Sequence, residues 1–121
     1  DTKSAKVAIL GITFKENCPD IRNTKIPDII NHLKVYKCKI YAVDPFADIA
    51  ETKLKYNVDL LSLDQIAECD AVIIAVAHDE YKLIAKEDWQ KLLKNKGVLI
   101  DVKSILSKNY FIDTDITHWR L

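Results

Sequence analysis

A chain of 121 residues with 49% hydrophobic and 30% charged residues has the length and composition of one globular domain, not of a disordered tail. Its 18 basic and 18 acidic residues give a formal net charge of zero, so the overall charge predicts no nucleic-acid partner. The apolar runs are too short to span a membrane, we expect no signal peptide, and the lack of methionine suggests a fragment of a longer protein.

Strands are predicted where apolar and β-branched residues form short runs. Four such runs recur at wide intervals, over residues 6–12, 38–44, 70–77 and 97–102. Each run is apolar nearly throughout rather than alternating, which is typical of strands buried on both faces of a parallel sheet. A shorter apolar piece over residues 58–60 predicts one more strand at an edge.

Helical patterns lie between these runs. The first helix is expected to be capped by Asn23 or Thr24 and to hold Pro27 in its first turn, where a missing N–H group is harmless. Further helices are predicted over residues 47–56 and 86–94. The apolar residues of the first helix recur with helical spacing and are expected to face the core: Ile26, Ile29, Ile30 and Leu33.

Strands that alternate with helices predict an α/β, doubly wound, Rossmann-like fold. We expect a mainly parallel, five-stranded sheet of order 3-2-1-4-5 with helices on both faces. The tail over residues 107–121 is weakly patterned and either packs along the sheet or reaches a neighbouring molecule. Because no linker or repeat divides the chain, residues 1–121 are predicted to form a single domain.

Glycine and cysteine usage restrict the chemistry of the chain. Only Gly11 and Gly97 are present, where an average composition of about 7% would supply about eight. The loops GxGxxG and GxxxxGK[ST], which bind phosphate groups, cannot be built from them, so no ordinary dinucleotide site is expected. Three cysteines without CxxC spacing argue against a disulfide framework or a zinc site and fit a cytoplasmic location.

The candidate binding site follows the first predicted strand. Ligands of open parallel sheets bind beyond the carboxyl ends of the strands, where the strand order reverses. The long loop at this point carries Phe14, Lys15, Asp20 and Arg22, and its cations and aromatic ring suit an anionic ligand with a flat group. Lys103 follows the last predicted strand on the same edge. A plain solvated loop and a solvated lysine are the alternatives.

Other reactive side chains are mostly interpreted as structural. His78 either acts as an acid–base group or, as we favour, caps the following segment or faces an interface. Asp44 lies where a Rossmann protein holds a ribose hydroxyl, but the proline after it favours a turn. Cys18 has no histidine partner in sequence and is not expected to be a nucleophile. His32 and His118 are interpreted as ordinary helix-surface and tail residues.

The segment Gly11-Ile-Thr-Phe-Lys-Glu-Asn-Cys-Pro-Asp-Ile-Arg-Asn-Thr-Lys resembles the signature that opens the C-terminal domain of UDP-glucose/GDP-mannose dehydrogenases. Tyr41-Ala-Val-Asp-Pro, Cys69-Asp-Ala-Val-Ile-Ile-Ala-Val-Ala-His and Ile100-Asp-Val-Lys-Ser-Ile-Leu resemble later blocks of that domain, in order. The likeness covers nearly the whole chain. Its Glu-Asn-Cys-Pro-Asp variant is most similar to the bacterial UDP-N-acetylhexosamine 6-dehydrogenases.

This resemblance implies a function. Family members oxidise the C6 hydroxymethyl group of a nucleotide sugar to a carboxylate in two NAD-dependent steps and supply precursors of polysaccharides. Residues 1–121 would be the UDP-sugar-binding C-terminal domain, while the catalytic cysteine and most of the NAD site would lie in other domains. The chain alone is therefore expected to be inactive, and Cys18 is not the catalytic cysteine. The expected partners are a UDP-sugar, the remaining domains, and further copies in a homodimer or higher oligomer.

Individual site residues also follow from the resemblance. Phe14 and Lys15 match positions that contact the nucleotide sugar, and Lys103 matches a substrate-contacting basic residue that is commonly arginine. Arg22 matches an arginine that reaches the NAD, and Asp20 is expected to orient the loop or Arg22. The alternatives are a stand-alone nucleotide-binding module or a non-enzymatic receiver-like module, although a receiver needs acidic residues directly after the first strand.

Overall fold

The computed structural model describes residues 5–121, in which six strands form one sheet of order β3-β2-β1-β4-β5-β6. Every neighbouring pair is parallel, so the predicted doubly wound class and the order of the first five strands are confirmed. The strands are β1 (Lys6–Leu10), β2 (Lys39–Val43), β3 (Leu60–Leu61), β4 (Cys69–Ile74), β5 (Leu93–Asp101) and β6 (Thr117–Arg120).

The prediction of five strands is wrong by one, because the tail supplies β6. This strand pairs with residues 98–101 of β5, so the tail packs along the sheet, as one of the two expected possibilities stated. Trp119 and Leu121 remain largely exposed at this edge. An edge strand of four residues is covered on one side only, so it carries no continuous apolar run that a sequence pattern could reveal.

Helices cover both faces of the sheet, as predicted. Ile9 of β1 lies in a core that includes Ile30 of the first helix, and Leu10 lies in a core on the opposite face with Tyr81 and Trp89. Each fully buried side chain of this size contributes about 1.5–3 kcal/mol to folding. The described residues contain the α-helices α1 (Ile26–Val35), α2 (Ile49–Tyr56), α3 (Asp79–Lys82) and α4 (Lys86–Leu92), and a 3₁₀ helix over Leu63–Gln65.

The start of α1 differs from the capping pattern. Lys25 is the N-cap residue, so the prediction of Asn23 or Thr24 at that position is wrong, but Thr24 Oγ1 does accept the N–H group of Ile26, the first helical residue, at 3.3 Å. Asn23 adopts a left-handed conformation with φ 61°, which turns the chain before the helix begins. Pro27 does lie in the first turn. Ile29 is 42% exposed, so the expectation that it faces the core is also wrong.

The last helix passes directly into β5. Residues 86–94 were predicted as helix, but Leu93 is already extended, with φ −103° and ψ 139°. It pairs with Cys69 of β4, and the register shifts before the next pair, which begins at Ala71. Leu93 is buried as expected. Its burial follows from the apolar pattern, whereas its conformation is set by pairing with β4. No helix within residues 5–121 is long and apolar enough to cross a lipid bilayer.

Gly11 ends β1 at the point where the strand order reverses. Its φ is +101°, and its N–H group donates to the carbonyl oxygen of Val43 at 2.7 Å. A Cβ atom at this position would lie 2.5 Å from the Cβ atom of Val76. The backbone that leaves β1 therefore passes too close to the chain after β4 for any other residue, which explains why one of the two glycines stands here.

Candidate functional site

A pocket of about 250 Å³ opens at the carboxyl edge of the sheet. Phe14, Lys15 and Lys103 line it, and all three residues are exposed. The prediction that Lys15 and Lys103 lie on the same edge is therefore confirmed. We call this site the cationic pocket. Its other lining residues are Thr13, Glu16, Asn23, Thr24, Lys25, Ile26, Ala75 and Val76.

Positive charge dominates the cationic pocket. Lys15, Lys25 and Lys103 contribute three cations, against the single carboxylate of Glu16. Ile26 brings the N-terminal end of α1 to the pocket, and the dipole of a helix favours an anion at that end. Lys25 had not been identified from the sequence. Its position just before a predicted helix, at the end of a loop already rich in cations, was the available signal.

A larger hollow of about 640 Å³ lies beside the carboxyl ends of β2 and β3. Asp44, Asp64 and Glu80 are among its lining residues, and none of those residues is a lysine or arginine. Its charge therefore disfavours a diphosphate. The smaller cationic pocket has both the sign of charge and the place in the fold that an anionic ligand requires.

The buried carboxylate of Asp44 accepts four backbone N–H groups after β2. Its Oδ2 atom accepts from Ile12 at 2.7 Å and from Thr13 at 3.0 Å. Its Oδ1 atom accepts from Phe46 at 2.8 Å and from Ala47 at 3.1 Å. The second pair confirms the predicted turn. The first pair is an additional role, because it fixes the start of the loop that carries Phe14 and Lys15.

His78 follows β4 and holds the same carboxylate. Its Nε2 atom lies 2.9 Å from Oδ2 of Asp44, and its Nδ1 atom accepts the N–H group of Asn17 at 2.9 Å. This bonding places the ring hydrogen on Nε2, which donates to Asp44. The side chain is completely buried, so the expectation that it faces an interface is wrong. His78 is the N-cap residue of α3, but its side chain makes no capping bond.

The pKa of Asp44 lies below its ordinary value of 3.8. Burial by itself raises this pKa, but hydrogen bonds from His78 and from the N–H groups of Ile12 and Phe46 outweigh the cost of burial. The carboxylate is therefore charged at neutral pH. A charged acceptor strengthens the bonds that hold both turns.

Arg22 is exposed and paired with Asp20. Oδ1 of Asp20 accepts the Nε and backbone N–H groups of Arg22 at 3.0 and 2.8 Å, and Oδ2 accepts Nη2 at 3.1 Å. These bonds, chiefly the side-chain one, lower the pKa of Asp20 to about 2. The prediction that Asp20 orients Arg22 is confirmed. Arg22 is not among the residues that line the cationic pocket.

Lys103 lies in a turn that the side chain of Asp101 stabilises by hydrogen bonds. The buried carboxylate of Asp101 accepts the N–H groups of Ile105 and Leu106, each at 2.9 Å. His118 Nε2 lies 3.1 Å from the same carboxylate, and only 6% of the His118 side chain is exposed. The interpretation of His118 as an ordinary tail residue is therefore wrong, because β6 brings it against the end of β5.

The sequence indicates some of these structural roles and not others. Asp44 is the last residue of one predicted strand and Asp101 the last but one of another, so an aspartate before a turn is a repeated pattern in the sequence. His118 gave no signal, because its partner lies 17 residues away and the tail has little periodicity. His32 is exposed on α1, as predicted.

A doubly wound parallel sheet with a cationic pocket at its switch point defines an α/β domain of the nucleotide-binding type. The profile of the UDP-glucose/GDP-mannose dehydrogenase family, UDP binding domain, matches residues 8–108. The chain belongs to this family, and the resemblance drawn from its motifs is confirmed.

Individual relatives agree with this assignment. The chain is 42% identical over 106 residues to UDP-N-acetyl-D-glucosamine 6-dehydrogenase of Salmonella typhi, covering 88% of this chain and 25% of the relative. It is 37% identical over 117 residues to the Pseudomonas aeruginosa protein of the same name, covering 97% and 26%. The NDP-N-acetyl-D-galactosaminuronic acid dehydrogenase structure of Methanosarcina mazei shares the fold, with a TM-score of 0.84 and 20% identity over 98% of this chain and 25% of that one. The chain thus spans about a quarter of the length of these relatives.

Proposed function

We propose that this chain is the UDP-sugar-binding domain of an NAD-dependent nucleotide-sugar 6-dehydrogenase, which oxidises a C6 hydroxymethyl group to a carboxylate. One observation carries the proposal: Phe14, Lys15 and Lys103 line one cationic pocket in a member of this family. Lys15 and Lys103 donate charge-assisted hydrogen bonds to the diphosphate. The exposed ring of Phe14 provides an apolar surface for the flat part of the nucleotide.

The cationic pocket forms one wall of a larger site. Its volume of about 250 Å³ is below the 300–1,000 Å³ that is usual for a site that encloses a ligand. Other parts of the complete protein therefore close over the UDP-sugar. The contribution of this chain is to fix the diphosphate so that C6 meets the reacting groups in one geometry.

NAD accepts the hydride in such a reaction, and most of its binding site lies outside this chain. The loop after β1 contains Gly11 as its only glycine, so it cannot approach a pyrophosphate in the way that a glycine-rich loop does. Arg22, exposed and oriented by Asp20, reaches the cofactor across the cleft between domains. We further expect the complete protein to be a cytoplasmic homodimer or higher oligomer.

The complete protein should produce NADH from NAD and a UDP-sugar, whereas the 121-residue chain should produce none. The reason is that the chain has a wall for the sugar nucleotide and no glycine-rich loop for the cofactor. The measurement is absorbance of NADH with UDP-glucose, UDP-N-acetylglucosamine and UDP-N-acetylgalactosamine as separate substrates. NADH from the isolated chain, or none from the complete protein with any sugar nucleotide tested, would contradict the proposal.

Arg22→Ala in the complete protein should raise the Kd of NAD about tenfold and change the Kd of UDP by less than about twofold. A tenfold change corresponds to about 1.4 kcal/mol. The value is modest because part of the guanidinium group of Arg22 is already bonded to Asp20. Titration of each ligand separately provides the test. Lys34→Ala, an exposed cation near the last turn of α1, is the control and should change neither affinity. A loss confined to UDP would assign Arg22 to the sugar nucleotide instead.

A further inference from the structure

We propose that His78 is a positioning residue that holds the Phe14–Lys15 wall of the cationic pocket in its binding conformation. The inference rests on the proposed function, because it concerns how the same pocket is kept in shape. The side chain of His78 is completely buried, and among the described lining residues of the pocket it lies within hydrogen-bond distance of Thr13 alone. The backbone N–H group of His78 also donates to the carbonyl oxygen of the lining residue Val76 at 3.0 Å. The imidazole ring therefore acts on a ligand through the loop after β1.

The contacts of His78 lie on both sides of three consecutive residues that line the pocket. Thr13 Oγ1 is 3.2 Å from Nε2, and the N–H group of Asn17 donates to Nδ1 at 2.9 Å. Between these two anchors lie Phe14, Lys15 and Glu16, all exposed. The loop over residues 14–16 is thus an arch whose two ends rest on one imidazole ring.

Further bonds lock this arch. Thr13 Oγ1 donates to the carbonyl oxygen of Lys15 at 3.0 Å, which fixes the backbone of the lysine itself. Asn17 Oδ1 accepts the N–H group of Asp79 at 2.9 Å, so Asn17 and the segment after His78 bind each other reciprocally. Asn17 adopts φ 56°, a left-handed conformation that an asparagine tolerates.

The ring of His78 is itself held firmly. Phe46 packs against it at a centroid distance of 4.8 Å, and Tyr81 meets it edge-on at 5.5 Å. Nε2 donates to the charged carboxylate of Asp44, which also binds the N–H groups of Ile12 and Thr13. A rigid ring with both nitrogen atoms engaged is suited to fixing a loop and unsuited to exchanging protons with a ligand.

The turn that carries Lys103 has a separate support. Asp101 and His118 hold that turn, and neither residue contacts His78 or Asp44 in the hydrogen bonds of the described residues. The two walls of the cationic pocket are therefore positioned independently. A defect at His78 should impair the contribution of Lys15 and leave that of Lys103 intact.

Two substitutions separate the bonds of His78. In His78→Gln the terminal amide nitrogen can still donate to Asp44, but no acceptor remains for the N–H group of Asn17. In His78→Asn the amide oxygen can still accept from Asn17, but the donor to Asp44 is lost. In the complete protein we expect His78→Gln to raise the Kd of UDP about tenfold. We expect His78→Asn to change that Kd less than threefold while lowering the melting temperature. If His78 were merely structural, UDP affinity would instead fall together with stability in both variants.

A double-mutant cycle tests whether His78 acts through the arch. In a Lys15→Ala background, His78→Gln should raise the Kd of UDP less than threefold, because the lysine side chain that His78 positions is already absent. In a Lys103→Ala background the full tenfold effect should remain. Equal effects in the two backgrounds would overturn the inference. A Lys15→Ala protein that binds UDP as well as the unmodified protein would instead overturn the proposed function.

Asn17→Gly provides a second variant that leaves the buried histidine in place. Glycine accepts φ 56° and keeps the N–H group for His78, but it removes the acceptor for Asp79. We expect a three- to tenfold rise in the Kd of UDP that disappears in the Lys15→Ala background. If His78→Gln does not fold, Asn17→Gly provides the test by itself. An unchanged Kd of UDP, or a rise in Kd that persists in the Lys15→Ala background, would show that the bonds of Asn17 and His78 do not hold the arch in its binding conformation.

Discussion

Asp44→Asn is expected to lower the free energy of unfolding of the 121-residue chain by about 3–5 kcal/mol, the usual cost of breaking a buried ionic group out of its network. Each oxygen of Asp44 accepts two backbone N–H groups, and Oδ2 also accepts from His78. An asparagine can offer only one oxygen. Its NH₂ group must then face two other N–H donors, whichever way the amide is turned, and at least two buried donors lose their acceptor.

This loss is large compared with the stability of a domain, which is about 5–15 kcal/mol in total. Urea unfolding of both proteins at pH 7, followed by the fluorescence of buried Trp89, provides the measurement. Asp59→Asn is the matched control, because Asp59 is exposed and, within residues 5–121, forms its one ion pair with Lys53 at the surface. It should change stability by less than about 1 kcal/mol. Equal losses from the two substitutions would refute the role assigned to Asp44.

The same comparison should depend on pH. The pKa of Asp44 is lower in the folded chain than its ordinary value of 3.8, so its contribution to stability is present above that value. The contribution is lost as the pH falls through the folded pKa. The difference in stability between the parent chain and Asp44→Asn should therefore be constant near neutral pH and shrink in acid. A difference that grows as the pH falls would reverse the sign of this linkage.

The sequence predicted the fold well because the parallel sheet is buried on both faces. Continuous apolar runs marked the four long strands, and their alternation with helices fixed the strand order through right-handed crossovers. Strand β6 was not predicted, because an edge strand of four residues needs no apolar pattern and only requires free N–H and C=O groups on β5. Pairing with a neighbour, rather than local preference, also decided that Leu93 is extended.

The site was predictable to the extent that charge and strand ends define it. Lys15 and Lys103 could be placed on one edge because the carboxyl ends of parallel strands coincide. The function of Asp44 as a turn former also followed from its Asp-Pro sequence. The burial of His78 did not follow, because it lies after the end of a predicted strand, directly before the polar residues Asp79 and Glu80, and its partners come from two distant loops. A hydrogen-bond network of this kind becomes visible only when the strand ends are assembled.

Lys15→Ala is expected to weaken UDP binding to the complete protein by about 1.5–3 kcal/mol, which is the usual value of a hydrogen bond to a charged group. This corresponds to a rise in Kd of roughly 10- to 150-fold. Lys103→Ala should have a smaller effect in the same direction. The backbone of Lys15 is fixed by Thr13 Oγ1, so less freedom is lost when its side chain binds. The resemblance to the family implies that Lys103 stands where an arginine is common, and a lysine cannot make the two parallel hydrogen bonds of a guanidinium group.

Both substitutions should leave the thermal stability of the protein nearly unchanged, because exposed charges outside any network contribute within about ±0.5 kcal/mol. Calorimetric titration with UDP beside thermal melts separates the two effects, and Lys34→Ala again serves as the control, since this exposed cation lies near the far end of α1. Higher salt should narrow the difference between the parent protein and Lys15→Ala, since screening weakens the attraction that the lysine supplies. If Lys15→Ala instead lowered the melting temperature sharply and left UDP affinity intact, Lys15 would be a structural residue and the cationic pocket would have no part in holding the diphosphate.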